Sequence, residues 1–266
     1  MKALKALSAS AVLTAAQAAL ATPSTTFWTP ATTYVQPYLV PHITYDTYVA
    51  EKGSFQNDYG LTVGILPFEK LQGEIGIDSF MPGLAKDNLY LNGKLVVPEG
   101  AFEKWQPGVS FGIMAAGFKT DVSNFDILHG EIGKTFPVVG NVVVGGYYGL
   151  NDKLMVSSAG KKQQAGAIAG WTSPDIVLNL TGLNKINFVA DVQTGKNAFG
   201  AWGAGIGIYF TPAIDILTGP VFFLDDAATV QLPGPGVSAV AGRPGMLWTV
   251  QLDVDFDLAR PSPTKK

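Results

Sequence analysis

The sequence predicts an all-β fold, an antiparallel transmembrane β-barrel of about 12 strands. Three observations carry this reading. Apolar and polar residues alternate with period two in segment after segment, which is the pattern of strands with unlike faces. The last alternation, residues 248–258, runs unbroken for 11 residues, which suits a tilted membrane-spanning strand and is about twice the usual soluble strand. The composition is 47% hydrophobic and only 15% charged, with 31 glycines in 266 residues, too apolar for a disordered chain and poor in the charge that soluble surfaces carry.

Taken in order, the chain opens on Lys2 and Lys5, an apolar stretch over residues 6–18, and Ala19-Leu20-Ala21 as a small-x-small cleavage site. That layout predicts a secretory signal peptide over residues 1–21, with the barrel occupying 22–258 and a polar tail 259–266. Less regular strands are expected near residues 38–49, 142–150 and 214–224. Elsewhere the outward apolar set is clear. Tyr59, Leu61, Val63 and Ile65 alternate with Asp58, Gly60, Thr62 and Gly64. Leu71, Ile75 and Ile77 alternate with Gln72, Glu74 and Asp78, and Leu89, Leu91 and Leu95 with Tyr90, Asn92 and Lys94. Val109, Phe111 and Ile113 face away from Ser110, Gly112 and Met114, and Leu128 and Ile132 from His129 and Glu131. Ala165, Ala167, Ala169 and Trp171, then Phe188, Ala190 and Val192, continue the pattern. Residues 202–210 place Gly203, Gly205 and Gly207 on one face against bulkier neighbours. Glycine at every second position weakens a helix and makes a strand with one small face.

The connections alternate in length. Residues 67–70, 137–140 and 211–213 are short turns, joined on the same side by the longer 98–106 and 172–185. The other side receives 51–56, 81–88, 119–124, 151–162, 194–198 and 225–244. Short turns at one rim and longer loops at the other are the asymmetry expected of such barrels. Aromatic residues follow the same map. Phe68, Trp105, Phe136, Trp171, Phe210 and Phe256 fall at the short-turn ends. Tyr48, Tyr59, Phe80, Tyr90, Phe118, Phe125, Tyr148, Phe199, Phe222 and Trp248 fall near the long-loop ends, which reads as two interfacial belts.

On the signal peptide, the alternating strands, the belts and the final Val254-Asp-Phe256-Asp-Leu258, the chain resembles a bacterial outer-membrane β-barrel of the small, porin-like kind. The resemblance implies location in the bacterial outer membrane, contact with its lipid, and insertion by the barrel-assembly machinery. One feature departs from the pattern: the chain continues past Phe256 into a polar, Pro-containing tail where such proteins often end on an aromatic residue.

Other classes are excluded or weakened. With no Cys and two His, disulfides, thiolate metal sites and a Cys nucleophile are absent and a zinc site has few ligands, so no cofactor is expected. A net charge of −3 argues against a nucleic-acid partner. Gly130-Glu-Ile-Gly133-Lys134-Thr135 echoes a phosphate loop, but the position needing the first glycine is Leu128 and Phe136-Pro137 follows in place of a helix. A barrel hydrolase would need His42 or His129 beside a serine and an acid, and neither lies in a Ser/Gly-rich elbow.

The inward-facing set is the informative constellation. Asp46, Glu74, Asp78, Lys94, His129, Glu131, Asp191, Gln251, Asp253, Asp255 and Asp257 are the candidate lumen-lining residues, with His42, Thr44, Gln72, Asn92, Asn187, Gln193 and Thr249 beside them. Acids outnumber bases, so full pairing within the set is not available and water or cations are expected to enter. Inward glycines 112, 133, 166, 170, 203, 205 and 207 are expected to leave a thin wall and room for a small solute. The reading is a channel for small solutes or ions with a cation preference. A structural or surface-interaction barrel without an open pore is the alternative, and a barrel hydrolase the third reading. The sequence sets no oligomeric state.

Overall fold

Alternation builds a wall with two solvents. Polar side chains at every second position cannot face hydrocarbon, and apolar ones at the positions between need not face water, so each strand presents one set to each side. The computed structural model describes residues 24–50, 56–81, 89–225 and 246–256. The expected signal peptide 1–21 and tail 259–266, Asp257, the side chain of Phe80, and most of loops 51–56, 81–88 and 225–244 lie outside the described residues.

Among the described residues there are thirteen strands: β1 (Pro41–Ala50), β2 (Gln56–Gly64), β3 (Gln72–Met81), β4 (Leu89–Val97), β5 (Gly108–Gly117), β6 (Asn124–Phe136), β7 (Gly140–Gly149), β8 (Ala165–Thr172), β9 (Ile176–Leu180), β10 (Leu183–Gln193), β11 (Ala201–Thr211), β12 (Ile214–Phe223) and β13 (Met246–Asp255). Each pairs antiparallel with its neighbours. The first strand closes on the last, His42 opposite Asp255 through Ala50 opposite Leu247. β8 joins β10 and β10 joins β11, so twelve strands form a closed ring and β9 adds a thirteenth at the side of β10. Closure removes the sheet edges that would otherwise leave unpaired backbone groups.

The connection 172–185, expected as a loop, holds β9. Pro174 has no N–H to give the ladder, but Ser173 bridges the gap: its backbone N–H donates to Phe188 O at 2.8 Å and its Oγ accepts from Phe188 N at 2.9 Å. Pairing then resumes with Ile176 opposite Ile186. Gly182, at φ +79°, takes the left-handed conformation of the turn into β10. β8 and β9 are thus one strand interrupted at a proline.

The expected faces hold. Ile43, Leu61, Ile75, Leu91, Phe111, Ile132 and Leu252 are exposed on the outer wall, while His42, Thr44, Asp58, Glu74, Lys94, His129, Asp191, Gln251 and Asp253 are buried inside. Polar residues inside and apolar outside reverse the arrangement of a soluble domain.

Four of the expected belt aromatics are corrected, Phe199 among them, which packs partly buried on the interior apolar cluster. Tyr48, Tyr90 and Phe125 are buried inside the barrel, because they share parity with Asp46, Asn92 and Ile127 on their strands. Tyr59, Phe118, Tyr148 and Trp248 remain exposed at the long-loop end, and Phe68, Trp105, Phe136, Phe210 and Phe256 at the other. Phe125 belongs to an interior apolar cluster with Ile127, Tyr147 and Ile168, to which the loops add Met155 and Ala198. Phe199 caps it edge-on, ring centroids 5.0 Å from Phe125. Asn197 Nδ2 donates to the Tyr147 hydroxyl at 2.7 Å, and that hydroxyl donates to Thr194 O at 2.6 Å, tying loop 194–200 to the inner wall. The long-loop end of β5–β10 is therefore filled by an apolar core rather than by water.

Candidate functional site

Residues 24–37 do not form a strand. They lie inside the barrel, with Ser24, Thr26, Phe27, Thr29, Ala31, Thr32, Thr33 and Gln36 all buried. Chain in a barrel interior must satisfy its own N–H and C=O groups, since no regular ladder does so. Here the inward polar residues of the wall supply the partners.

Asp191 on β10 is the densest anchor. Its Oδ2 accepts the backbone N–H groups of Phe27 (2.9 Å), Trp28 (2.8 Å) and Thr29 (2.7 Å) and the Thr29 hydroxyl (3.0 Å). Its Oδ1 is buried with no hydrogen-bond partner. Glu74 on β3 accepts from Ser24 N (2.9 Å), Ser24 Oγ (2.7 Å) and Gln36 N (2.8 Å), clasping both ends of the segment. Lys94 on β4 has the complementary role: its ammonium donates to Ser24 O (2.5 Å), Pro30 O (3.3 Å) and Thr32 O (3.5 Å). Gln251 Nε2 on β13 donates to Phe27 O at 3.0 Å. Carboxylates thus take the segment's N–H groups and an ammonium takes its carbonyls, each bond charge-assisted and stronger than a neutral one.

The glycines expected to thin the wall are seats for this segment. A Cβ on Gly203 would lie 2.6 Å from Phe27 Cδ1, and one on Gly205 2.6 Å from Phe27 Cε2. Gly170 meets Ala31 and Thr26, and Gly133 meets Thr33. Gly112, Gly166 and Gly207 instead make room for the wall's own His129, Tyr147 and Asn187. The Phe27 ring completes a second apolar cluster with Val189, Ala201, Leu217 and Val221. Trp28 stands edge-on to Tyr48 and Phe223, at 5.8 Å and 5.4 Å between centroids. The segment leaves at the short-turn end beside β2, where the carbonyl of Pro37 would lie 2.2 Å from a Cβ on Gly64. There the Tyr34 phenol, pushed above its ordinary value chiefly by burial, bonds to Thr135 near Glu99.

The other inward acids fall into three groups. Asp46 on β1 stands directly opposite Asp58 on β2, with Asp78 on the next strand. Thr44 and Tyr48 donate to Asp46 at 3.1 Å and 3.2 Å, and Asn92 donates to Asp78. At the short-turn end, His42 sits between two carboxylates, Nε2 3.2 Å from Asp253 and Nδ1 2.8 Å from Asp255. Lys185 pairs with Asp175 at 2.7 Å and lies 4.3 Å over the Tyr209 ring. Among the described residues no group of three or more His, Cys, Asp or Glu has the arrangement to hold a metal ion.

His129 and Glu131 form a third unit. His129 Nδ1 lies 2.7 Å from Glu131 Oε1, and Ser110, opposite Glu131 on β5, donates from Oγ to Oε2 at 2.5 Å. The fold thus brings a serine to the histidine's neighbourhood that the local sequence does not show. A hydrolase would need the serine on the histidine. Here both rest on the glutamate, while His129 Nε2 is buried with no hydrogen-bond partner against Gly112.

Comparison with known proteins adds the following. No protein-family model matches the chain. No curated protein matches it. Among solved structures, an outer membrane channel from Pseudomonas putida F1 is similar at 11% identity and a TM-score of 0.44, covering 86% of this chain and 99% of its own. The NanC porin is similar at 9% identity and a TM-score of 0.47, covering 81% of this chain and 100% of its own.

Of the candidate lumen residues, Asp191, Glu74, Lys94 and Gln251 converge on the interior segment. The remaining ones lie elsewhere on the inner wall, and Asp257 lies outside the described residues. The expected shortage of counter-charges is corrected for Asp191 and Glu74, whose partners are backbone N–H groups that a count of side-chain charges does not include.

Proposed function

We propose that the protein is a bacterial outer-membrane channel for small solutes or ions, held in a plugged conformation by its own residues 24–37. The observation that carries this reading is the way the interior is filled. Residues 24–37 are fastened to strands β3, β4, β10 and β13 by a few discrete polar latches, with Phe27 and Ala31 seated in the two apolar clusters, so the filling is a separate segment that can leave without breaking the strand ladders. Lipid of the outer membrane and the barrel-assembly machinery are its expected partners, and no enzymatic step is assigned to it. The protein should fractionate with outer membrane, and unboiled samples should migrate differently from boiled ones on SDS gels, because a closed barrel has no free edges and resists detergent. Recovery in the soluble periplasmic fraction would overturn the reading.

The proposal includes cation preference. Asp253 and Asp255 line the short-turn mouth with one His42 between them, and Asp215 is buried across the sheet from Asp253. Rows of carboxylates attract cations and repel anions in a narrow aqueous space. Replacing Asp253, Asp255 and Asp257 together by Asn keeps shape and removes charge. Reversal potentials across a KCl gradient should show cation preference in the wild type, weakening as salt rises and screening shortens, and should shift toward zero in the triple variant. An anion-selective wild type or an unmoved potential would refute the assignment.

A further inference from the structure

Phe27 occupies its seat much as a bound molecule would. The ring fits a socket shaped by two glycines on β11 and lined by Val189, Ala201, Leu217 and Val221. The backbone nitrogen, three bonds from that ring, points at Asp191 Oδ2 at 2.9 Å. The carbonyl accepts from Gln251 at 3.0 Å. Two further groups of the socket are unspent: Asp191 Oδ1 and Gln251 Oε1 are both buried with no hydrogen-bond partner. A buried carboxylate oxygen and a buried amide oxygen without donors cost free energy that a better-endowed occupant would recover.

We propose that this socket is a solute-binding site of the channel, selective for small aromatic amines, and that Phe27 is its tethered stand-in. An arylalkyl ammonium such as phenethylammonium has the same nitrogen–carbon–carbon–ring skeleton as Phe27. It brings three N–H donors and a positive charge where Phe27 brings one neutral N–H, so it reaches both oxygens of Asp191. An amide carbonyl on the same carbon, as in phenylalaninamide, would meet the Gln251 donor. An anionic aromatic meets the Asp191 carboxylate unfavourably, and a small alkylammonium leaves the ring socket empty. Binding of such a solute displaces residues 24–37, so recognition and opening are the same event. This rests on the channel reading for the solute's route and for the consequence of opening, while occupancy of the socket is measurable without conduction.

The chain has no cysteine, so a single Thr32→Cys protein carries one thiol at a position buried in the plugged state. In detergent micelles, phenethylammonium should raise the rate of maleimide labelling saturably, by about ten-fold, because a ligand for one state shifts the population toward it. Ethylammonium and 3-phenylpropionate at the same concentrations should leave it unchanged. Equal acceleration by all three, or by none, overturns the proposal. Calorimetry of the otherwise unaltered Asp191→Asn protein gives a second, independent sign. A purely structural role for Asp191 predicts tighter binding of phenethylammonium, since the competing segment is loosened. The proposal predicts binding weaker by about ten-fold or more than in Glu74→Gln, which loosens the segment without touching the Phe27 socket; the difference is the loss of a charge-assisted pair. If Asp191→Asn does not fold, the three-probe comparison decides alone. Labelling that responds to phenethylammonium in a protein that never conducts would uphold the socket and refute the channel.

Discussion

Neutralising both latches, with Asp191→Asn and Glu74→Gln in one protein, should turn a mostly closed barrel into a mostly conducting one. The magnitude follows from the donors involved. Asp191 takes three backbone N–H groups and a hydroxyl on one oxygen, and Glu74 takes two backbone N–H groups and a hydroxyl. Hydrogen bonds to charged groups contribute about 1.5–3 kcal/mol each and neutral ones about 0.5–1.5 kcal/mol. Several are weakened together, and each new amide also turns N–H groups toward donors. A shift of about 3 kcal/mol against the plugged state is a conservative sum, and it raises the unplugged-to-plugged ratio by roughly a hundred-fold. The barrel itself should persist, because the strand ladders that close it involve neither side chain. Single-channel recordings in planar bilayers should therefore show higher open probability with an unchanged heat-modifiable band on gels. Conductance identical to the wild type, with a Thr32→Cys thiol still protected from labelling, would mean that the segment is permanent filling and would favour the structural barrel.

The wall of this barrel was legible because lipid on one side and polar groups on the other force a strict two-residue rhythm, and that rhythm is written one residue at a time. The part of the 248–258 alternation that is described, residues 248–255, and the glycine face of 202–210 appear in β13 and β11 with the expected sides. Parity also contained the correct position of Tyr48, Tyr90 and Phe125. Placement near a strand end suggested a belt, but their neighbours two residues away were polar or inward, and it is the backbone that decides the side. The interior was not legible in the same way. Residues 24–37 have no period, because each residue answers to a different strand of the wall. Gly203 and Gly205 signalled that something comes close, as glycine in a strand does, without saying that it is Phe27, 176 and 178 positions earlier in the chain. Asp191 looked like an unpaired acid because its partners are main-chain N–H groups, which no side-chain pattern records. β9 was hidden by Pro174, next to which Ser173 alone holds the pairing, its backbone N–H donating to Phe188 O and its hydroxyl oxygen accepting from Phe188 N.

Leu252→Arg should be far more damaging than Asp253→Asn, although the two positions are adjacent and the first replaces an exposed residue while the second replaces a buried one. Leu252 lies near the middle of β13, opposite Tyr45 on β1 and Ile216 on β12, with its side chain on the outer wall. In water an exposed leucine tolerates arginine. Facing hydrocarbon near the midplane, arginine costs about 2–4 kcal/mol in a barrel, a large share of the roughly 5–15 kcal/mol by which folded proteins are stable. Asp253 faces inward, where Nε2 of His42 lies 3.2 Å from its Oδ1. An asparagine oxygen still accepts a hydrogen bond from that ring, and one carboxylate fewer beside Asp215 and Asp255 relieves repulsion. Guanidinium unfolding in lipid vesicles should show a reduced folded fraction and midpoint for Leu252→Arg and a near wild-type curve for Asp253→Asn. The same pair separates two physical surroundings for the outer wall. If Leu252→Arg is silent and Asp253→Asn is not, the apolar exterior is meeting water or a protein partner rather than lipid, and the membrane assignment fails with it.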